Sequence, residues 1–100
     1  MDITTPKRPL SFFGQIVATR HAVDAVDALK INLALQRHFA FDWSDCPPGD
    51  RQANQDALSD GSRIFGSYKV GGGIVLWVIT EAENESGVRE STTVLLPEDY

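Results

Sequence analysis

Between residues 38 and 54 stand His38, Asp42, Asp45, Asp50 and Asn54, the densest set of side chains able to do chemistry. His38 and Asp42 are four apart, so on a continuing helix they share a face, and carboxylates from the following loop could complete a hard-metal site or a general acid/base pair. That would be the kernel of a metal-dependent hydrolase or nuclease. The same residues also have structural uses: Asp42 or Asp45 to turn or cap the chain, Asp50 to cap the next helix, Asn54 to tie the loop down by hydrogen bonds. No second histidine lies nearby and no fixed ligand spacing is present, so the structural assignment is preferred. No metal, cofactor or catalytic residue is assigned.

Two other features fail as sites. Cys46 with His21 or His38 would make a thiol nucleophile only if a helix N-terminus or a cation lowered the thiol pKa, and Cys46 instead precedes Pro47-Pro48 among acidic residues. Gly71-Gly72-Gly73 lacks the following Lys-Ser/Thr of a phosphate cradle and reads as a hairpin turn.

The elements that must position these residues follow from periodicity. Gly73 to Thr80 carries six consecutive apolar residues, four of them β-branched, and reads as a central strand buried on both faces with Trp77 in the core. Before it, Ile64, Tyr68 and Val70 alternate with mostly polar neighbours, Phe65 excepted; after it, Ser91–Leu96 is a further strand stopped by Pro97. Upstream, Ala22, Val26, Leu29 and Leu33 form the stripe of an amphipathic helix that Thr19 caps. Leu35 and Phe39 drift off that stripe, which places a break near Lys30-Ile31-Asn32. Arg51 to Leu58 is a third short helix, ended by Asp60-Gly61, and residues 10–18 fit a short strand or a helical lead-in equally. The expected architecture is an α+β domain over residues 10–100, with N-terminal helices packed on a three-stranded antiparallel β-meander, and residues 1–9 as a disordered arm.

Composition bounds the function. One hundred residues suit a single core, and the 42% hydrophobic share holds no apolar run long enough to cross a bilayer. A lone cysteine and no signal-peptide pattern favour a reducing compartment, so a cytoplasmic location is expected. The net charge of −5 disfavours direct binding to nucleic-acid phosphates and suits a basic partner surface.

His38, Asp42-Trp43, Asp50, Asn54, Ala57-Leu58, Gly61, Arg63-Ile64, Ser67, Tyr68, Trp77-Val78-Ile79-Thr80-Glu81 and Thr92 to Tyr100 carry a resemblance. Their pattern is similar to that of small uncharacterised "plasmid-related" proteins of mobile elements, approximately R-H-x-x-x-D-W, then D-x-x-x-N-x-x-A-L-x-x-G-x-R-I-x-S-x-Y, then W-I-I-T-E and T-T-V-L-L-P-x-x-Y. It spans the chain from about residue 36 to the end. Phe41 departs from the usual small residue before Asp-Trp, and Ala82 to Val88 lengthens a turn that is usually tighter. The resemblance implies a mobile-element setting, in which small acidic proteins often interfere with host machinery.

Acidic residues fall in two groups, Asp42, Asp45, Asp50, Asp56 and Asp60 near the loop, and Glu81, Glu83, Glu85 and Glu90 near the last turn. Both suit a solvated surface or a basic partner. Trp43, between Asp42 and Ser44, is either a lid on the core or an anchor for a partner. The partner-binding set expected is therefore Asp42, Trp43, Asp45, Asp50, Glu83 and Glu85. The function expected is inhibition or modulation of a host protein complex, a defence system countered in the anti-CRISPR manner being one form.

Overall fold

The apolar run after the glycines becomes a strand flanked on both sides, and the remaining elements assemble around it. The structure is a computed structural model that describes residues 6–100. Residues 1–5 of the arm expected over 1–9 lie outside the described residues, while Lys7 N–H donates to the Phe39 carbonyl at 3.0 Å.

The sheet has four strands: β1 (Gln15–Ala18), β2 (Ile64–Lys69), β3 (Val75–Thr80) and β4 (Ser91–Leu95), in the order β1-β4-β3-β2. The expected three-stranded antiparallel meander is thereby corrected. β2, β3 and β4 pair antiparallel, but β1 adds a fourth strand parallel to β4, with Gln15 opposite Ser91 and Ala18 opposite Val94. The physical reason is Gly14, whose φ of 68° suits glycine, and whose missing Cβ lets the chain lie directly on the backbone of Arg89 and Glu90. Residues 10–18 thus resolve into a 3-10 turn over Leu10–Phe13 followed by β1.

The helices are α1 (Arg20–Ala25), α2 (Ala28–Phe39) and α3 (Pro48–Asp60). Thr19 Oγ1 accepts from Ala22 N–H and caps α1. The break falls at Val26-Asp27, earlier than Lys30-Ile31-Asn32, because the Asp27 carboxylate accepts from Lys30 N–H and restarts the helix there. Pro47, not Asp50, occupies the N-cap position of α3; Pro48 takes the first helical turn, where its missing N–H costs nothing, and Gly61 closes the helix in a left-handed conformation.

One sheet face carries Ile64, Tyr68, Leu76, Val78, Thr80, Thr92 and Val94, all fully buried. Ala22 of α1, Val26 at the break and Ala34 of α2 pack on its Tyr68-Leu76-Val78-Val94 part, and Ala57 of α3 packs with Ile64, Trp43 and Cys46 at its other end. The opposite face holds Phe65 and Trp77, whose rings meet edge to face at 4.9 Å, with Tyr100 beyond. Trp77 is therefore half-buried on that second face rather than within the main core.

Candidate interaction site

His38 comes from the last turn of α2 and is fully buried between helix and sheet. Its Nδ1 lies 3.0 Å from Tyr68 Oη and its Nε2 2.9 Å from Thr80 Oγ1; Thr80 Oγ1 lies 2.7 Å from Thr92 Oγ1, and Thr92 donates to the Phe13 carbonyl at 2.7 Å. The chain of bonds orders its own protons. Since the only hydroxyl hydrogen of Thr92 goes to a carbonyl, Thr80 must donate to Thr92, so Thr80 accepts from His38 Nε2–H and Tyr68 donates to Nδ1. His38 is neutral, and burial pushes its pKa down to about 3. Both ring nitrogens are spent inside the core, where neither can meet a metal or a substrate.

The carboxylates expected beside it face elsewhere. Arg37 Nε donates to Asp42 at 2.7 Å, its Nη1 to Asp45 at 2.9 Å and its Nη2 to Ser44 Oγ at 3.1 Å. Ser44 returns bonds from N–H and hydroxyl to Asp42, and Lys69 N–H donates to Asp45. The Arg37 guanidinium holds the Asp42 carboxyl down to about 2; the Lys69 N–H and then Arg37 hold that of Asp45 low as well. Asp42 and Asp45 thus fasten α2, the loop and β2 together, and Arg37 offsets their charge. Asn54 ties α3 to β2, its amide donating to the Phe65 carbonyl at 2.7 Å and its oxygen accepting from Phe65 N–H at 2.8 Å.

Trp43 is 7% exposed and stacks on Phe41 at 5.2 Å, so its ring is a core element and is not offered to a partner. Cys46 is buried, and burial raises its thiol pKa, contrary to what a nucleophile needs. Asp50 lies in the first turn of α3 and lines a cleft of ≈ 380 Å³ with Phe65, Trp77, Arg63 and Tyr100. Among the described residues, no group of three or more His, Cys, Asp or Glu side chains is placed to hold a metal ion, and no helix is long and apolar enough to cross a membrane.

Glu83 and Glu85 belong to the connection between β3 and β4, and here negative charge is concentrated and exposed. Glu81, Glu83, Glu85 and Glu90 are all exposed on it. Asn84 organises the tip: its Oδ1 accepts from Ser86 and Val88 N–H, its own N–H donates to the Val88 carbonyl, and its Nδ2 donates to Glu90 at 3.1 Å. Arg89, the one basic residue of this segment, is 3% exposed and turned inward, donating to the carbonyls of Ser62 at 2.7 Å, Glu81 at 2.9 Å and Ala57 at 3.0 Å. Glu83 N–H adds a bond to the Gly61 carbonyl, so the hairpin is pinned to the end of α3. Arg89, the staple, is not among the expected site residues; its only sign in the sequence is a single cation within an acidic run.

Comparison with protein-family models, with curated proteins and with solved structures finds no match to this chain.

Proposed function

We propose that this is a small acidic interaction protein of a mobile genetic element, which inhibits or modulates a host protein complex through a basic, nucleic-acid-handling surface of that complex. The observation that carries the reading is the β3–β4 hairpin: four exposed glutamates on a hydrogen-bonded scaffold whose own cation is turned into the protein. Carboxylates so held stand where nucleic-acid phosphates would, pre-ordered and therefore cheap to bind. Exposed Val88 at the same tip supplies an apolar contact beside them. The resemblance of residues 36–100 to plasmid-related proteins supports the mobile-element setting, and a host defence complex is the class of target it favours.

Affinity capture from host lysate at low and high salt, with the intact protein and with a Glu83→Lys/Glu85→Lys variant, tests this. Recovery of one basic, nucleic-acid-handling complex at low salt, with on-rate reduced roughly tenfold by the charge reversal, is expected. Capture unaffected by both salt and charge reversal would overturn the reading.

A further inference from the structure

The two edges of the sheet are treated differently. Along β2 the outward groups are closed by side chains: Asn54 takes both Phe65 N–H and its carbonyl, Asp45 accepts from Lys69 N–H at 3.0 Å, and Cys46 Sγ approaches the Phe65 carbonyl at 3.8 Å. Edges blocked in this way cannot accept another strand. Along β1 nothing comparable is found. Gln15 N–H and Thr19 N–H turn inward to the carbonyls of Glu90 and Val94, so the alternation of a strand turns the N–H and C=O groups of Ile16 and Ala18 outward. Among the described residues, those outward groups have no hydrogen-bond partner. All four residues of β1 are exposed, Ile16 at 42% and Val17 at 37%, and no charge occurs from Gln15 to Thr19.

The arrangement of this edge is self-complementary. Ile16 and Ala18, the two residues with outward groups, flank Val17 symmetrically, which is what an antiparallel two-fold axis through Val17 requires. Ile16 then lies opposite Ala18 of the partner subunit, and each such pair exchanges both N–H···O bonds, so every outward group of β1 is satisfied. Val17 faces Val17 of the partner subunit, and Gln15 faces Thr19 of the partner subunit, so no like charges meet although the chain as a whole carries −5. Beside the strand, Ala18, Val23, Val26, Ile31 and Leu35 line a shallow apolar groove, and Val23 is 53% exposed, which extends the uncharged surface.

We propose that a second copy of this chain docks at β1, joining the two sheets into one continuous eight-stranded sheet across a two-fold axis. The acidic hairpin is not involved, so this inference is independent of the function proposed above.

Sedimentation equilibrium of the full chain over a concentration series is the direct measurement, with Val17→Lys as the disrupting variant. Because Val17 is exposed, the lysine leaves the monomer's circular dichroism and melting temperature in place, while two ammonium groups facing each other weaken self-association by at least about tenfold. Register is read by Val17→Cys: directly opposed residues of a non-hydrogen-bonded pair lie within disulfide reach, so mild oxidation yields a cross-linked dimer, whereas Gln15→Cys does not. Glu85→Lys on the hairpin leaves the association unchanged. A chain that stays monomeric throughout, a dimer indifferent to Val17→Lys, or equal cross-linking from residues 15 and 17 would each overturn the proposal, the first leaving the edge to a foreign strand.

Discussion

The neutral state of His38 makes acid a specific stress on this protein. In the folded chain the ring stays unprotonated down to about 3, whereas an ordinary histidine takes up its proton near 6.5, so between those values the unfolded state binds more protons. The contribution of His38 is therefore fully present above about pH 6.5 and is lost as pH falls, by about 1.4 kcal/mol per pH unit. Urea denaturation at roughly pH 7 and pH 5 should show this slope, and His38→Gln should flatten it. His21 has the opposite sign: its hydrogen bond to Asp99 raises its pKa, so what it adds is present in acid and fades as pH rises through that raised value. Gly66 is tied to the same chain of bonds. A Cβ there would come within 2.6 Å of Tyr68 Oη and 2.7 Å of His38 Nδ1, both held by their mutual hydrogen bond. Gly66→Ala should cost about 1–3 kcal/mol, read as a lower denaturation midpoint, despite the better strand propensity of alanine. If that variant is as stable as the parent, the His38–Tyr68 pairing is not rigid.

At the level of elements, local pattern was informative where the partner is local. The β2–β3 hairpin was legible from alternation and the glycine turn, and its register places Tyr68 opposite Leu76. β1 was not legible, since its partner is β4 at the other end of the sequence and four residues with both faces exposed show no period. The helix break lies earlier than the drift of the apolar stripe places it, because the stripe does not show that the Asp27 carboxylate turns back to cap the next helix. The same limit shaped the site: the Asp42-Trp43-Ser44-Asp45 loop offered plausible binding residues, but the sequence does not show that Arg37 would reach both carboxylates or that Phe41 would cover the indole. The exposure of Glu83 and Glu85 was legible, because a charged hairpin tip has no core to enter. Within the sheet, Val78 is fully buried on the helix-covered face of β3, opposite Val94 and Gly66. Val78→Asp puts a carboxylate there with no partner, at several kcal/mol, which approaches the whole stability of such a domain. Loss of the far-ultraviolet dichroism of the folded state is the expected result; an unchanged melting temperature would show β3 to be peripheral.

The whole molecule is closed by its ends, because β1 and the turn before it complete a core built mostly from later residues. Phe13 is fully buried and meets Phe39 at 4.6 Å, and its carbonyl terminates the hydrogen-bond chain that starts at Tyr68. Thr19 N–H and Gln15 N–H satisfy the carbonyls of Val94 and Glu90 along β4. A chain beginning at Thr19 therefore loses a buried aromatic ring, leaves the Thr92 hydroxyl without its acceptor and opens the β4 edge to solvent. Phenylalanine truncation in a core alone costs about 3–5 kcal/mol, against a total stability of about 5–15 kcal/mol, and the orphaned hydroxyl and edge add to it. The shortened chain should lack a cooperative thermal transition and near-ultraviolet dichroism, while Phe13→Ala in the full chain should still fold with a lowered melting temperature. Helix propensity does not rescue the shortened form, since the helices stay folded by packing on a sheet whose β4 edge is now bare. A shortened protein melting cooperatively at the temperature of the full chain would show instead that residues before Thr19 only decorate a self-sufficient three-stranded core.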